Sequence, residues 1–219
     1  MNSAEISLLQ IIHHIAKSHP NLHYYIDENN FPGLGTWKHH GFPLPCPKTI
    51  KDSVLLRHNL PDAVWVETGT YQGETTQLLS KVSSFVYTIE PEPTLYSNAV
   101  AKFEGNSRVT VINDISENAL PLLLPELSGN ICFWLDGHFS GGVTYAGPND
   151  TPLVYELAHI EKFLKRFQAV TILIDDIRLC GRKHAYGDYP SLDFLVNWSR
   201  SNGLKWFIEY DIFIAKKDP

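Results

Sequence analysis

The stretch "VWVETGTYQGETTQLL", residues 64–79, decides the fold. An apolar run stops at an acid, Glu67; glycines follow at Gly69 and Gly73, and two threonines, Thr75 and Thr76, lead into a helix-like segment. A strand that ends in a glycine-spaced turn and continues into a helix is the opening of a βα unit. Gly69 permits a tight turn and the close approach of a ligand, and Gly73 permits close packing where the helix starts. No glycine follows Gly69 by two, so the dinucleotide pattern G-x-G-x-x-G is absent, and an acid at the strand end repels a diphosphate. The loop suits a ligand that carries positive charge. The plainer alternative is an ordinary βα turn with a capping acid.

Outward from this unit the pattern repeats. Short apolar runs at 64–67, 85–90, 109–112, 131–135 and 170–174 alternate with helix-length stretches at about 74–82, 94–103, 117–126, 152–166 and 191–201. Near-continuous apolar strands imply a sheet buried on both faces, and the alternation implies βαβ units with a mainly parallel sheet. Two last strands, 206–209 and 212–215, are separated only by Tyr210 and Asp211, which forces an antiparallel hairpin. Before residue 60 the chain reads differently. Residues 1–20 form an amphipathic helix with Ile6, Leu9, Ile12 and Ile15 near one face, and a stretch rich in Pro, Gly, His and aromatics follows, then a short helix at about 50–58. We therefore expect an N-terminal extension over 1–60, as a lid or packing piece, and a ligand-binding domain over 61–219.

The bulk numbers narrow the chemistry. A chain of 219 residues with 43% hydrophobic content can bury a proper core. The net charge of −6 argues against nucleic acid as the main ligand, since such binding depends on clustered Lys and Arg. Three widely spaced cysteines, Cys46, Cys132 and Cys180, fit neither a disulfide framework nor a zinc pattern. The first residues lack a basic stretch and a long apolar core, so neither a signal peptide nor a membrane span is expected, and the expected location is the cytoplasm.

In such sheets ligands bind outside the carboxyl ends of the strands, at the switch point. The second strand ends at Glu90, 23 positions after Glu67 in the chain. An acid at that station can accept both hydroxyls of a ribose. Asn113 and Asp114 end the third strand; they can accept from an adenine amino group, or Asp114 or Ser116 simply caps the next helix. The fourth strand ends in Asp136, Gly137 and His138, and the fifth in Asp175 and Asp176. Neighbouring fourth and fifth strands would bring three carboxylates together. Carboxylates that close repel one another, and a hard divalent cation such as Mg²⁺, Mn²⁺ or Ca²⁺ relieves the repulsion. The alternative is that Arg178 neutralises Asp175 or Asp176. Among the histidines, His13-His14 and His39-His40 invite a metal reading; the first pair reads as structural, because neighbours on a helix point apart.

These stations together resemble the class I S-adenosylmethionine-dependent methyltransferases. "ETGTYQG" is similar to their first motif in its E-x-G-x-Y-x-G form, "TIEPEP" to the ribose-binding strand end and "NDIS" to the adenine-side motif. The resemblance covers about 45–215. It implies a Rossmann-like, seven-stranded, mostly parallel sheet with a C-terminal antiparallel hairpin and helices on both faces. It places Glu67, Thr68, Gly69, Thr70, Tyr71, Gly73 and Thr75 on the cofactor loop, Glu90 on the ribose, and Asn113, Asp114 and Asp136 along the adenosyl side. "FWLDGHFSGG", "DTPLVYEL", "ILIDDIRLCG" and "YGDYPSL" look like a bacterial methyltransferase-like family. The LDG…IDD pair also resembles the metal triad of macrolide-sugar and aminocoumarin-sugar O-methyltransferases and cephalosporin-hydroxylase-like proteins. That resemblance implies a divalent cation on Asp136, Asp175 and Asp176; beside it, Arg178 is expected to orient the Asp pair or an anionic substrate group, and His138 to act as the base. His138 stands where the sugar enzymes carry another residue.

The function expected from all this is O-methylation of a hydroxyl on a small molecule or a glycan, with S-adenosyl-L-methionine as donor, divalent-metal assistance, no nucleic-acid partner and no membrane; a homodimer is compatible. The rival expectations are a hydroxylase-like enzyme on the same scaffold and a non-catalytic nucleotide-binding domain.

Overall fold

The computed structural model describes residues 44–137, 151–181 and 189–218. The chain divides into two compact units, Met1–His58 and Asn59–Pro219. In the first, helix α1 spans Lys48–Arg57 and carries an ion pair one turn apart, Lys48 Nζ to Asp52 Oδ1 at 2.7 Å. The expected helix at 1–20 and the His13-His14 and His39-His40 pairs lie outside the described residues.

The second unit runs β1 (Val64–Thr68), α2 (Glu74–Val82), β2 (Phe85–Ile89), α3 (Pro93–Lys102), β3 (Val109–Ile112), α4 (Ser116–Leu123), β4 (Gly129–Leu135), α5 (Leu153–Glu161), β5 (Phe167–Ile174), α6 (Leu192–Ser201), β6 (Lys205–Glu209) and β7 (Ile212–Lys217). The seven strands form one sheet in the order β3-β2-β1-β4-β5-β7-β6. All pairings are parallel except those of β7, which runs antiparallel to both β5 and β6. The two-residue connection between β6 and β7 allows nothing else, and Tyr210 takes a φ of 55° to make the turn. Of the described residues, no helix is long and apolar enough to cross a membrane.

Two expected helices are shorter than the sequence pattern suggests. The run at 117–126 breaks into α4 and a short 3₁₀ turn, Leu124–Glu126, because Pro125 has no N–H to continue the α-helical ladder. The run at 152–166 ends at Glu161; beyond it Phe163, Leu164 and Arg166 donate to carbonyls only three residues back, which tightens the chain for its turn into β5. Several strands, conversely, extend beyond their apolar runs, β5 back to Phe167 and β7 on to Lys217.

The sheet is packed on both faces, as its apolar strands require. Val66, Ile131, Phe133, Ile172 and Phe213 are buried in one continuous core with Leu120 of α4, Leu157 of α5 and Leu195 of α6. Each such side chain contributes about 1.5–3 kcal/mol on burial. The register brings the functional strand ends into line. Thr68 pairs with Ile89 of β2 on one side and with Leu135 of β4 on the other, and Asp175 donates its N–H to Leu135 O at 3.1 Å. The chain leaves β1 toward β2 and β3, then crosses back to β4 and β5, so β1 and β4 flank the switch point.

Candidate functional site

At the ends of β1 and β2 the acids are held by neutral donors. Glu67 is completely buried. Its Oε2 accepts from the hydroxyls of Thr76, in α2, and of Thr88, in β2 at 2.7 Å. Thr88 Oγ1 also lies 2.6 Å from Thr70 Oγ1. Glu67 thus ties β1 to α2 and β2 beneath the glycine loop. Gly69 has a φ of +88°, as a tight turn requires, and a Cβ there would stand 2.6 Å from the backbone oxygen of Asp136, so the end of β4 is one close neighbour that demands a glycine. Gly73 behaves as the sequence reading has it: φ is +67° and a Cβ would strike the Phe103 ring at 2.9 Å, where α2 packs on α3. Thr68 is buried beneath Gly137, and Thr75 lies half-exposed in the first turn of α2.

Glu90 sits just past β2, buried, and is tied to the glycine loop. Tyr71 takes a φ of 48° and donates its N–H to Glu90 Oε2 at 2.8 Å, while Glu92 N–H reaches Oε1 at 3.1 Å. Burial raises the carboxyl's pKa above its ordinary value, against the pull of these two N–H groups. Each oxygen still has a second lone pair for a ligand hydroxyl. Asn113, exposed past β3, donates from Nδ2 to Glu90 O at 2.8 Å and so joins the same rim. Asp114 Oδ1 accepts from Ile115 N–H at 2.8 Å and Asn118 Nδ2 at 3.0 Å, so it secures the entry to α4. The N-cap of α4 is Ile115 and receives no side-chain cap, so these bonds are not the helix cap named among the expectations for Asp114.

The ends of β4 and β5 are different in kind. Asp136, Asp175 and Asp176 each bring a carboxylate oxygen within 4.8 Å of the others. Such a set of all-oxygen donors fits a hard divalent cation. Asp176 takes a left-handed conformation, φ 56° and ψ 36°, which aspartate tolerates better than most residues. It opens a single 3₁₀ turn, Ile177–Leu179. Within that turn Arg178 Nη1 forms ion pairs with both Asp176 and Asp211. Burial works to lower the guanidinium's pKa, and the two carboxylates, Asp176 foremost, outweigh it and raise it. His138 lies outside the described residues.

Four further residues belong to this rim and escape a reading by strand ends. Thr88 holds Glu67 and Thr70. Asp211 holds Arg178. Glu156 and Tyr189 line a small pocket with Asp136, Gly137, Asp175 and Thr151. Glu156 is buried on the apolar face of α5 beside Leu153, Leu157 and Ile160. Its pKa is pushed up to about 7, by burial first, against the neighbouring Ser116 and Thr68 hydroxyls and with help from the charges of Glu117 and Asp136. An acid in register with three apolar residues at helical spacing is a signal the sequence does contain. Tyr189, also buried, has its pKa raised by burial and then by Asp176, Asp136 and Asp175, so it presents a neutral phenol to the carboxylates.

No family model matches the chain, and no curated protein matches it by sequence. Solved structures do. The N-methyltransferase NodS from Bradyrhizobium japonicum WM9 superposes with a TM-score of 0.52 at 14% identity, over 77% of this chain and 94% of that one. SMU.1697c from Streptococcus mutans, described as a putative methyltransferase in complex with SAH, gives 0.49 at 15% identity, over 80% of this chain and 98% of that one. The 23S rRNA methyltransferase ErmE gives 0.47 at 17% identity, over 77% of this chain and 66% of that one. The fold is thus the Rossmann-like fold of class I methyltransferases, a seven-stranded sheet closed by an antiparallel hairpin.

Proposed function

We propose that the chain is an S-adenosylmethionine-dependent methyltransferase acting on a hydroxyl of a small molecule or a glycan. The observation that carries this reading is the join between Glu90 and the glycine loop. The strand-end acid suited to a ribose is braced by the Tyr71 N–H of the very loop that flanks the switch point. Glu90 takes the ribose hydroxyls, the glycine loop borders the amino-acid end, and Asn113 and Asp114 border the adenine. The negative charge of Glu67 and Asp136 favours a cationic sulfur nucleoside over its uncharged product. A net charge of −6 favours a small or glycan acceptor over nucleic acid.

Methyl transfer to oxygen is an in-line displacement at the methyl carbon. The acceptor oxygen forms the new bond as the carbon–sulfur bond breaks, and the acceptor proton must leave. The protein's part is to align the two partners and exclude water. Asp136, Asp175 and Asp176 would hold a divalent cation, whose positive charge when bound makes a nearby hydroxyl more acidic. His138 follows Asp136 by two in the chain and is our candidate to take the proton. Arg178 orients Asp176 through their ion pair.

That ion pair also favours a second reading, in which Arg178 alone balances Asp176 and methyl transfer proceeds without a metal. One experiment separates the readings. A labelled methyl donor is supplied with a panel of sugar and phenolic acceptors, with and without chelator, to wild type and Asp176→Asn. Turnover that is lost with chelator and in the variant, with binding of the demethylated cofactor retained, supports the metal reading. Turnover indifferent to chelator removes the metal, and no transfer to any acceptor together with no cofactor binding removes the methyltransferase.

A further inference from the structure

Asp211 occupies a place where aspartate is ordinary and a burial state that is not. It is the second residue of the two-residue turn between β6 and β7, and such turn positions face solvent. Its neighbour Tyr210 is exposed, yet Asp211 has 0% exposure. The hairpin tip folds against the end of β5, because β7 pairs directly with β5, Ile174 opposite Phe213. All three oxygens of Asp211 are used there. The Asp211 backbone oxygen accepts from Ile177 N–H at 3.2 Å. Its Oδ1 accepts from Arg178 N–H at 3.0 Å, and its Oδ2 pairs with the Arg178 guanidinium. The same guanidinium nitrogen pairs with Asp176 Oδ1.

A buried carboxylate is costly unless paired, and a carboxylate with this many donors is fixed in place. One guanidinium nitrogen divided between two carboxylates therefore has its position set by both. Without Asp211 the guanidinium would close wholly on Asp176, and that carboxylate would be neutralised and turned toward the arginine. With Asp211 the positive charge is shared, so Asp176 keeps negative charge to offer, together with Asp136 and Asp175, to a cation.

We propose that Asp211 is a positioning residue of the site: from the β6–β7 turn, acting through Arg178, it keeps the Asp176 carboxylate available to a divalent cation. This rests on the metal reading above. It also gives the edge hairpin, far in sequence from the glycine loop, a direct part in the chemistry of the rim.

The test is a double-mutant cycle on the full chain, saturated with the demethylated cofactor, with Mn²⁺ binding measured by calorimetry. Asp211→Asn is expected to weaken Mn²⁺ binding about tenfold, the size of one charge-assisted contact, with cofactor affinity unchanged. In an Arg178→Met background the same substitution should change Mn²⁺ affinity less than about twofold, because its effect passes through the arginine. If Asp211→Asn does not fold, Arg178→Lys replaces it. A lysine keeps the charge but loses the planar fork, and it is expected to give the same loss. Unchanged Mn²⁺ affinity in Asp211→Asn, or in Arg178→Lys where that variant stands in, overturns the proposal, as does an equal loss with Arg178 absent. A wild type that binds cofactor but no Mn²⁺ overturns the metal reading and this proposal with it. A wild type that binds neither overturns the methyltransferase reading itself.

Discussion

The two halves of the rim handle negative charge in opposite ways. On the β1–β2 side, Glu67 and Glu90 are buried and served by neutral donors: two threonine hydroxyls on Glu67, two backbone N–H groups on Glu90. On the β4–β5 side, Asp136, Asp175 and Asp176 come together, and the Arg178 guanidinium pairs with Asp176 and with Asp211. Neutral donors hold a carboxylate still without cancelling its charge. That half is fixed by bonds between β1, β2 and the glycine loop, which suits a ligand recognised by shape and charge. On the other half, among the described residues, one guanidinium is shared between Asp176 and Asp211. A hydroxyl network holds one geometry, whereas a shared ion pair can shift between its two carboxylates.

Gly69 is where the halves touch, so Gly69→Ala should disturb both and have the largest effect. Its Cβ would need the space 2.6 Å from Asp136 O, and its backbone holds φ +88°. The neighbour is backbone and cannot swing aside. A loss of about 2–4 kcal/mol in urea unfolding is expected, with cofactor-product binding abolished in calorimetry. A variant with native stability and binding would show that the two halves are mechanically independent.

Glu156 lies between them, beside Thr68 on one hand and Asp136 on the other. Its folded pKa of about 7 stands above the ordinary 4.5. A carboxyl raised on folding is held more tightly as the neutral acid in the native state. Its contribution to stability is therefore present below pH 4.5 and lost as pH rises to about 7, by about 3 kcal/mol in all. Glu156→Gln should lack that slope. The difference in unfolding free energy between wild type and variant, measured from pH 4 to pH 8, should swing toward the variant across this window. Parallel profiles would mean that the buried acid is already matched by donors.

Glu90→Ala sharpens the contrast from the ligand's side. It removes both ribose acceptors and leaves Tyr71 and Glu92 N–H without their partner. Cofactor-product affinity should fall about 10- to 100-fold, while Mn²⁺ affinity at the other half stays within about twofold. Equal losses at both would make the rim one site.

How far the residues announce this arrangement depends on whether their role is local. β1 and the turn after it were legible because an apolar run, an acid and two spaced glycines all act within a dozen positions. The antiparallel hairpin was legible because two residues leave the chain no other course. The approach of Asp136 to Gly69 was not, since it joins strands more than sixty residues apart and depends on the register of β1 with β4. Asp211 reads as an ordinary turn aspartate; only the pairing of β7 with β5 buries it against Arg178. Glu67 reads as a charge at a strand end; its bonds to Thr76 and Thr88 join three elements and do not show in the sequence.

Thr88 supplies the smallest and most discriminating change. Its hydroxyl is a single group with two partners, Thr70 Oγ1 at 2.6 Å and Glu67 Oε2 at 2.7 Å. Thr88→Val keeps the β-branched shape that suits the middle of the sheet, so packing is preserved and only the hydroxyl is lost. Glu67 then keeps Thr76 as a donor, and Thr70 is released from β2. About 1 kcal/mol of stability should go, the ordinary net value of a hydrogen bond with some added cost for a buried partner. If neutral donors are what make this half rigid in advance, the variant should bind cofactor product a few-fold more weakly with a less favourable entropy, because the loop must now be ordered on binding. The same calorimetry with Mn²⁺ should show no change. A Thr88→Val protein with wild-type affinity and entropy would show that the loop owes its order to Gly69 and Glu90 alone, and that the hydroxyls beneath it only satisfy a buried acid.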